Sequence, residues 1–275
     1  MNRLSAAERA KVIGCLIEGC SLRSTVRLTG VSKKTVSRIL VGVGEACAAY
    51  HDKIMRNLPC KVIQVDEIWS FTYAEEANIP EHLQGQDSIG DTWTWVAIDA
   101  ASKLIPSWHV GKRDAQDAYW FIHDLKGRLA HRVQLTSDGH RPYLEAVESA
   151  FGSEIDYSVL IKMYGRETGK GETRYSPPVC IGARRRKIIG NPDRNLISTS
   201  FVERQNLTLR MTNRRFTKLT SAFSNKIENH KHMMAIYTMN YNFCRIHQTL
   251  RVTPAMEAGI TDHIWSLEDV ANLCE

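Results

Sequence analysis

Three acidic residues stand in contexts suited to holding a divalent cation. Asp66 closes Val62-Ile63-Gln64-Val65-Asp66, Asp138 closes Val133-Gln134-Leu135-Thr136-Ser137-Asp138, and Glu203 lies within Ser200-Phe201-Val202-Glu203-Arg204-Gln205-Asn206. The first two end apolar runs of strand character and the third belongs to a helix-type segment, so distant parts of the chain can converge on one carboxylate cluster. Hard carboxylate oxygens suit magnesium or manganese, and two such ions about 3.5–4 Å apart cut phosphodiesters by activating the nucleophile and stabilising the leaving oxygen. Glu203, Asn206 and Arg210 follow at i, i+3 and i+7, on one helix face. There Asn206 would support the metal shell or a phosphate, and Arg210 would reach a DNA backbone. Glu67 is expected to face the opposite side of the strand from Asp66. Asp99 competes for a place in the cluster because it too ends a strand, although Ala100-Ala101-Ser102 after it fits a turn.

Those carboxylates need strands and a late helix to carry them. Strand patterns run over 61–71, 91–99 and 103–110, close enough together for an antiparallel meander, with an exposed acidic loop or hairpin at 74–90. An amphipathic helix follows at 114–130, then a strand at 132–137, a helix at 141–151 and a strand at 157–163. The order β-β-β-α-β-α predicts an α/β fold, a mixed sheet with helices on both faces in the ribonuclease H-like arrangement. Residues 165–178 read as a flexible loop, 199–214 and 224–243 as helices, and the tail from Thr253 as a packed irregular segment.

Ahead of this core the pattern is all helical. Ser5 and Glu8 form a capping box for a helix to Glu18, a short helix runs from Ser21 to Leu28, Gly30 supplies a left-handed turn, and Ser32 caps a further helix. Val26, Gly30 and Val36 have the spacing of a helix-turn-helix, whose second helix would present Lys33, Lys34, Thr35, Ser37 and Arg38 to a major groove. The charge agrees. The net charge is +6, and residues 1–60 hold ten Lys/Arg against four Asp/Glu. Residues 61–161 hold eight basic against sixteen acidic residues, whereas 162–251 hold eighteen against five. A basic head and a second basic block, with an acidic stretch between them, fit a polyanion held in two places. Arg184, Arg185, Arg186 and Lys187 are the densest part of the second block and are expected to grip DNA backbone.

An apolar fraction of 43% and a charged fraction of 24% are ordinary for a globular protein. No apolar run is long enough to span a bilayer, and the polar start lacks a signal-peptide core, so the expected location is cytoplasmic. Seven cysteines without a Cys-x-x-Cys pair fit reduced thiols better than a disulfide or zinc framework.

The contexts Asp66-Glu67, Thr136-Ser137-Asp138-Gly139 and Phe201-Val202-Glu203-Arg204-Gln205-Asn206 resemble the DDE motifs of bacterial insertion-sequence transposases, nearest the insertion sequence 1 type. The segment from Tyr241 to Leu250, with Thr253-Pro254, is similar to the end of such catalytic domains. This resemblance covers about the whole chain. It implies a helix-turn-helix domain and connector at 1–58, a ribonuclease H-like catalytic domain at 59–251 and a tail at 252–275 packed on the core. It further implies two Mg2+ or Mn2+ ions held by Asp66, Asp138 and Glu203, and cutting followed by strand transfer at element ends. The implied partners are double-stranded DNA of element ends and target, and further copies of the chain on that DNA, with no membrane. The family's frequent zinc finger is missing, which leaves end recognition to the helix-turn-helix. The 65 positions from Asp138 to Glu203 imply a basic insertion near 165–195.

Overall fold

The computed structural model describes residues 4–165, 179–217 and 222–274. The expected loop at 165–178 therefore lies, beyond Gly165, outside the described residues. Helix α1 (Ala6–Ile17) begins at the Ser5/Glu8 capping box, and α2 (Leu22–Thr29) ends at Gly30 with φ 72°. The Ser32 hydroxyl accepts from Thr35 N to open α3, which runs unbroken over Lys33–Ile54. Thus α3 begins at the basic turn and continues into the core, where it packs along α7 (Ile227–Met239).

Strands β1 (Val62–Thr72), β2 (Gly90–Asp99) and β3 (Trp108–Gly111) form the antiparallel meander. After α4 (Ala115–Arg128), β4 (Gln134–Ser137) returns parallel to β1. After α5 (Pro142–Phe151), β5 (Asp156–Gly165) adds parallel to β4. A sixth strand, β6 (Val179–Ile189), closes the order β3-β2-β1-β4-β5-β6 by pairing antiparallel with β5. The first five strands have the order and directions of the ribonuclease H-like fold. Helices α6 (Ser200–Thr212), α8 (Pro254–Glu257) and α9 (Leu267–Asn272) lie in the part of the chain after β6.

Alternation along the strands divides the core in two. Ile63, Val65, Leu135, Tyr157 and Val159 face one way and pack with α1, α3, α4 and α5 in a large buried cluster; Ile68, Val96 and Ile98 face the other way and pack under Val202 and Leu209 of α6. The larger cluster runs without a break from Val12 of α1 to Ala271 of α9, so the N-terminal helices are rooted in the same apolar core as the sheet.

Two expected elements differ. Residues 103–107 do not join the ladder: Lys103 takes φ 60° and Ile105 is held by Asn242, whose amide bonds its N–H and C=O at 3.0 Å, so pairing starts only at Trp108. The helix expected to reach Phe243 gives way after Met239 to a π-helical turn, Asn240–Cys244, which carries Asn242 to that bond. The second half of the expected basic insertion is β6 itself.

Gly44 is where α3 meets α7 most closely, since a Cβ there would lie 2.4 Å from His232 Cβ and 2.7 Å from His232 Cα. Backbone cannot yield that distance, so Gly44→Val should lower stability by about 3 kcal/mol, the upper end of overpacking costs. Gly42→Ala in the same helix meets nothing and should be neutral or stabilising by about 0.5–1 kcal/mol. Urea unfolding midpoints of the two variants check the contrast.

Candidate active site

β1 and β4 are paired over Val62–Gln64 and Gln134–Thr136 and part just beyond. Asp66 lies within β1 just past its pairing with β4, and Asp138 follows the last residue of β4, so both stand where the two parallel strands part. The alternation that turns Gln64 and Thr136 toward α6 turns Asp66 and Asp138 the same way. Helix α6 is seated by the Gln64 side chain, whose Oε1 accepts from Phe201 N at 2.8 Å and Val202 N at 3.2 Å. The next residue, Glu203, reaches the same space. All three acids line one open cleft of about 900 Å³, together with Arg113, His140, Lys162, Thr199, Asn206 and Arg210.

Each acid has a different neighbour. Asp66 Oδ2 accepts from Asn206 Nδ2 at 2.8 Å. Asp138 Oδ1 accepts from His140 N at 2.9 Å, and its Oδ2 lies 3.9 Å from Arg113. Glu203 has partners of its own, with Oε1 accepting from Thr199 Oγ1 at 2.6 Å and Oε2 paired with the Lys162 ammonium. Among the described residues no three histidine, cysteine, aspartate or glutamate side chains stand close enough to hold one ion. The cleft therefore gathers the three acids that the sequence singles out, without drawing them into a closed ligand shell.

The electrostatics show what this arrangement lacks. Burial, then the charges of Glu67 and Asp138 and, more weakly, Glu203, push the Asp66 carboxyl up to about 7. Burial and Asp138 also raise Glu67, against the opposing pull of Arg113. Asn206 Oδ1 is buried beside the cleft without a hydrogen-bond partner. A cluster of hard oxygens short of positive charge suits Mg2+ or Mn2+: Asp66 and Asp138 would hold the ion, and Glu203 would join them on leaving Lys162.

Glu67 alternates with Asp66 along β1, and Tyr143 OH donates to it at 3.0 Å and Arg113 pairs with it at 2.6 Å, yet it too borders the cleft, which the strand alternation alone did not predict. Asp99 is a turn residue: its Oδ2 accepts from Ser102 N and Oγ, both at 2.8 Å. Lys33, Lys34 and Arg38 are exposed on α3 and Ser37 half-buried, while Thr35 is half-buried against the Ser32 cap. Arg184 to Lys187 are all exposed on β6, but paired residues share a face, so Arg185 (opposite Leu160) and Lys187 (opposite Ser158) lie on the α6 side and Arg184 and Arg186 on the other. Arg113 and Lys162 were not singled out from sequence; one follows Lys112 just past a strand and the other is a lone basic residue within a strand, and only the sheet register brings them to the acids.

No family model matches the chain, and no curated protein matches it. Among solved structures it is similar to a chain of the simian T-cell lymphotropic virus intasome in complex with the PP2A regulatory subunit B56 gamma, at 15% identity and TM-score 0.41 over 91% of this chain and 74% of that one. It is also similar to the piggyBac transposase synaptic complex with hairpin DNA, at 9% identity and TM-score 0.40 over 98% and 69%. A third is the Mos1 transposase paired-end complex with left transposon end, at 13% identity and TM-score 0.23 over 58% and 60%. Likenesses of this distance assign neither a family nor an activity.

Proposed function

We propose that the chain is a DNA transposase of the insertion-sequence kind, which binds the terminal repeats of its element and performs metal-dependent cleavage and strand transfer. The observation that carries this reading is the meeting of Asp66, Asp138 and Glu203 in one cleft rimmed by Arg113, Lys162 and Arg210. Bound Mg2+ or Mn2+ would supply an activated water for nicking, then an activated 3′-hydroxyl for attack on target DNA, and would neutralise charge at phosphorus. The chain's own groups do the rest. Asn206 orients Asp66, Thr199 fixes the Glu203 rotamer, and the three rim cations hold the strand by its phosphates. Residues 1–58 would read the repeats, with Lys33, Lys34 and Arg38 meeting phosphates and Thr35 and Ser37 meeting base edges. Pairing two element ends would bring copies of the chain together on DNA.

Labelled element-end DNA, identified by inverted repeats flanking the reading frame, tests this with purified protein and magnesium. Cutting followed by joining is the expected result. Binding without cutting would make the chain a silent regulator, and cutting without joining a nuclease. The strand register sharpens a second expectation. A duplex laid along the cleft can meet Arg185 and Lys187 but not Arg184 and Arg186. The pair Arg185→Glu and Lys187→Glu should therefore weaken binding to all sequences and flatten the log–log salt dependence by about 2, at about 0.9 per phosphate contact. Reversal of Arg184 and Arg186 should change it little. Equal slopes for both pairs would remove this strand from the DNA path.

A further inference from the structure

A second cavity, of about 350 Å³, lies on the other flank of α6. Its walls are Phe201, Arg204 and Thr208 of α6, Lys103 from the turn after β2, and the loop from Arg245 to Thr249. Lys103, Arg204, Arg245 and His247 line it, and no carboxylate does. Among the described residues none of the three permanent cations is in ion-pair contact with an acid. Asp99 acts on Lys103 through space; its Oδ2 accepts from Ser102 and its Oδ1 is buried without a hydrogen-bond partner, while the Lys103 ammonium donates to Ala100 O.

The concentration of charge is built in. The Lys103 ammonium sits 3.5 Å above the Phe201 ring and is partly withdrawn from water, which lowers its pKa. Burial, Lys103 and Arg245 together lower the pKa of His247. Lys103, which lines the pocket, takes φ 60°, and Arg251, whose N–H bonds the pocket residue His247, takes φ 63°, left-handed conformations that non-glycine residues adopt at a cost of about 1–3 kcal/mol each. The loop is closed by His247 N to Val252 O at 2.9 Å and Arg251 N to His247 O at 2.8 Å. Like charges held together on strained backbone call for an anion.

We propose that this pocket binds a phosphodiester of the DNA that passes over α6 from the cleft, through Arg204, Arg245 and Lys103. The proposal rests on the transposase reading for its ligand but on different residues. Arg204 is the neighbour of Glu203 and is rotated by about 100° around α6, whose diameter with side chains is about 10–12 Å. One strand crossing the helix therefore reaches both flanks within a few nucleotides.

The test is equilibrium binding of a labelled duplex to the full chain in EDTA, so that no cutting intervenes, over a range of salt. Arg204 and Arg245 are exposed, and melting curves should show Arg204→Gln, Arg245→Gln and the double variant folded. Each single variant should reduce the salt slope by about 0.9 and the double by about 2, with an affinity loss of about tenfold or more at physiological salt. Lys103→Gln should act in the same direction. If the wild type binds and the double variant keeps its affinity and slope, the pocket is no DNA site, although the wider reading stands. If the wild type binds no DNA, both fall. Millimolar inorganic phosphate, matched in ionic strength by chloride, should not displace the duplex. Displacement seen with the wild type and lost in the double variant would assign the pocket to free phosphate and overturn the proposal.

Discussion

Asp66→Asn and Glu203→Gln should each lower magnesium-dependent nicking of element-end DNA by about a thousandfold or more, while binding of that DNA in EDTA stays unchanged. Charge stabilisation by a catalytic cation is worth several kcal/mol, and each 1.36 kcal/mol is a factor of ten in rate. Asp66 is the acid most affected by the other three, and its neutral amide would remove both a ligand and the charge that attracts the ion. Glu203 is a sharper probe, because without metal it already has Thr199 and Lys162 as partners. Glutamine keeps the Thr199 bond and leaves the helix in place, so a loss of rate cannot be put down to a loss of fold. The contrasting variant is Glu67→Gln. Its carboxylate borders the cleft but is already held by Tyr143 and Arg113, so its removal should appear first in stability rather than in rate. Strand transfer within tenfold of the wild type in either Asp66→Asn or Glu203→Gln would end the catalytic assignment.

The three acids stood out in the sequence because each closes an apolar run or lies on a periodic helix face, although Asp66 falls within β1, which runs on to Thr72. The six-stranded sheet was less so. β6 escaped notice because an edge strand exposed on both faces has no apolar alternation to display, and Arg184-Arg185-Arg186-Lys187 reads as solvated charge. The segment 103–107 misled for the opposite reason: Leu104 and Ile105 are fully buried, as in a strand, but their backbone is satisfied by Asn242 and by scattered bonds to β2. What could not be read at all was pairing across the cleft. Lys162 meets Glu203, and Arg113 lies between Glu67 and Asp138, through register and helix placement, quantities to which no local spacing refers.

Acid should loosen the joint between the helices and the sheet well before the ordinary carboxylates titrate. His51 of α3 is buried with Nε2 3.2 Å from Ile105 O, and burial together with Arg128 lowers its pKa to about 4. His230 of α7 is buried with Nε2 3.3 Å from Thr94 Oγ1, and burial together with Arg215 lowers its pKa to about 3. Unfolded, both would titrate near the ordinary value of 6.5. Below that pH the unfolded chain binds protons that the folded chain refuses, so stability falls with pH until the folded values are reached. At pH 5 each histidine has withdrawn about 1.5 units' worth, or about 2 kcal/mol, giving about 4 kcal/mol for the pair. Asp66 and Glu67 act in the opposite direction, because their raised values mean that protonation on acidification relieves the folded state. Asp156, lowered to about 2 by Arg132, contributes stability above the unfolded value of 3.8 and loses it only below that. The histidine effect is therefore read as a difference: urea unfolding at pH 7 and pH 5, in the parent and in His51→Gln/His230→Gln. The acids cancel between the two proteins, and the parent should lose about 4 kcal/mol more than the variant on going to pH 5. Parallel losses in the two would mean that neither imidazole is kept neutral by the fold, and that α3 and α7 owe their seating to apolar packing alone.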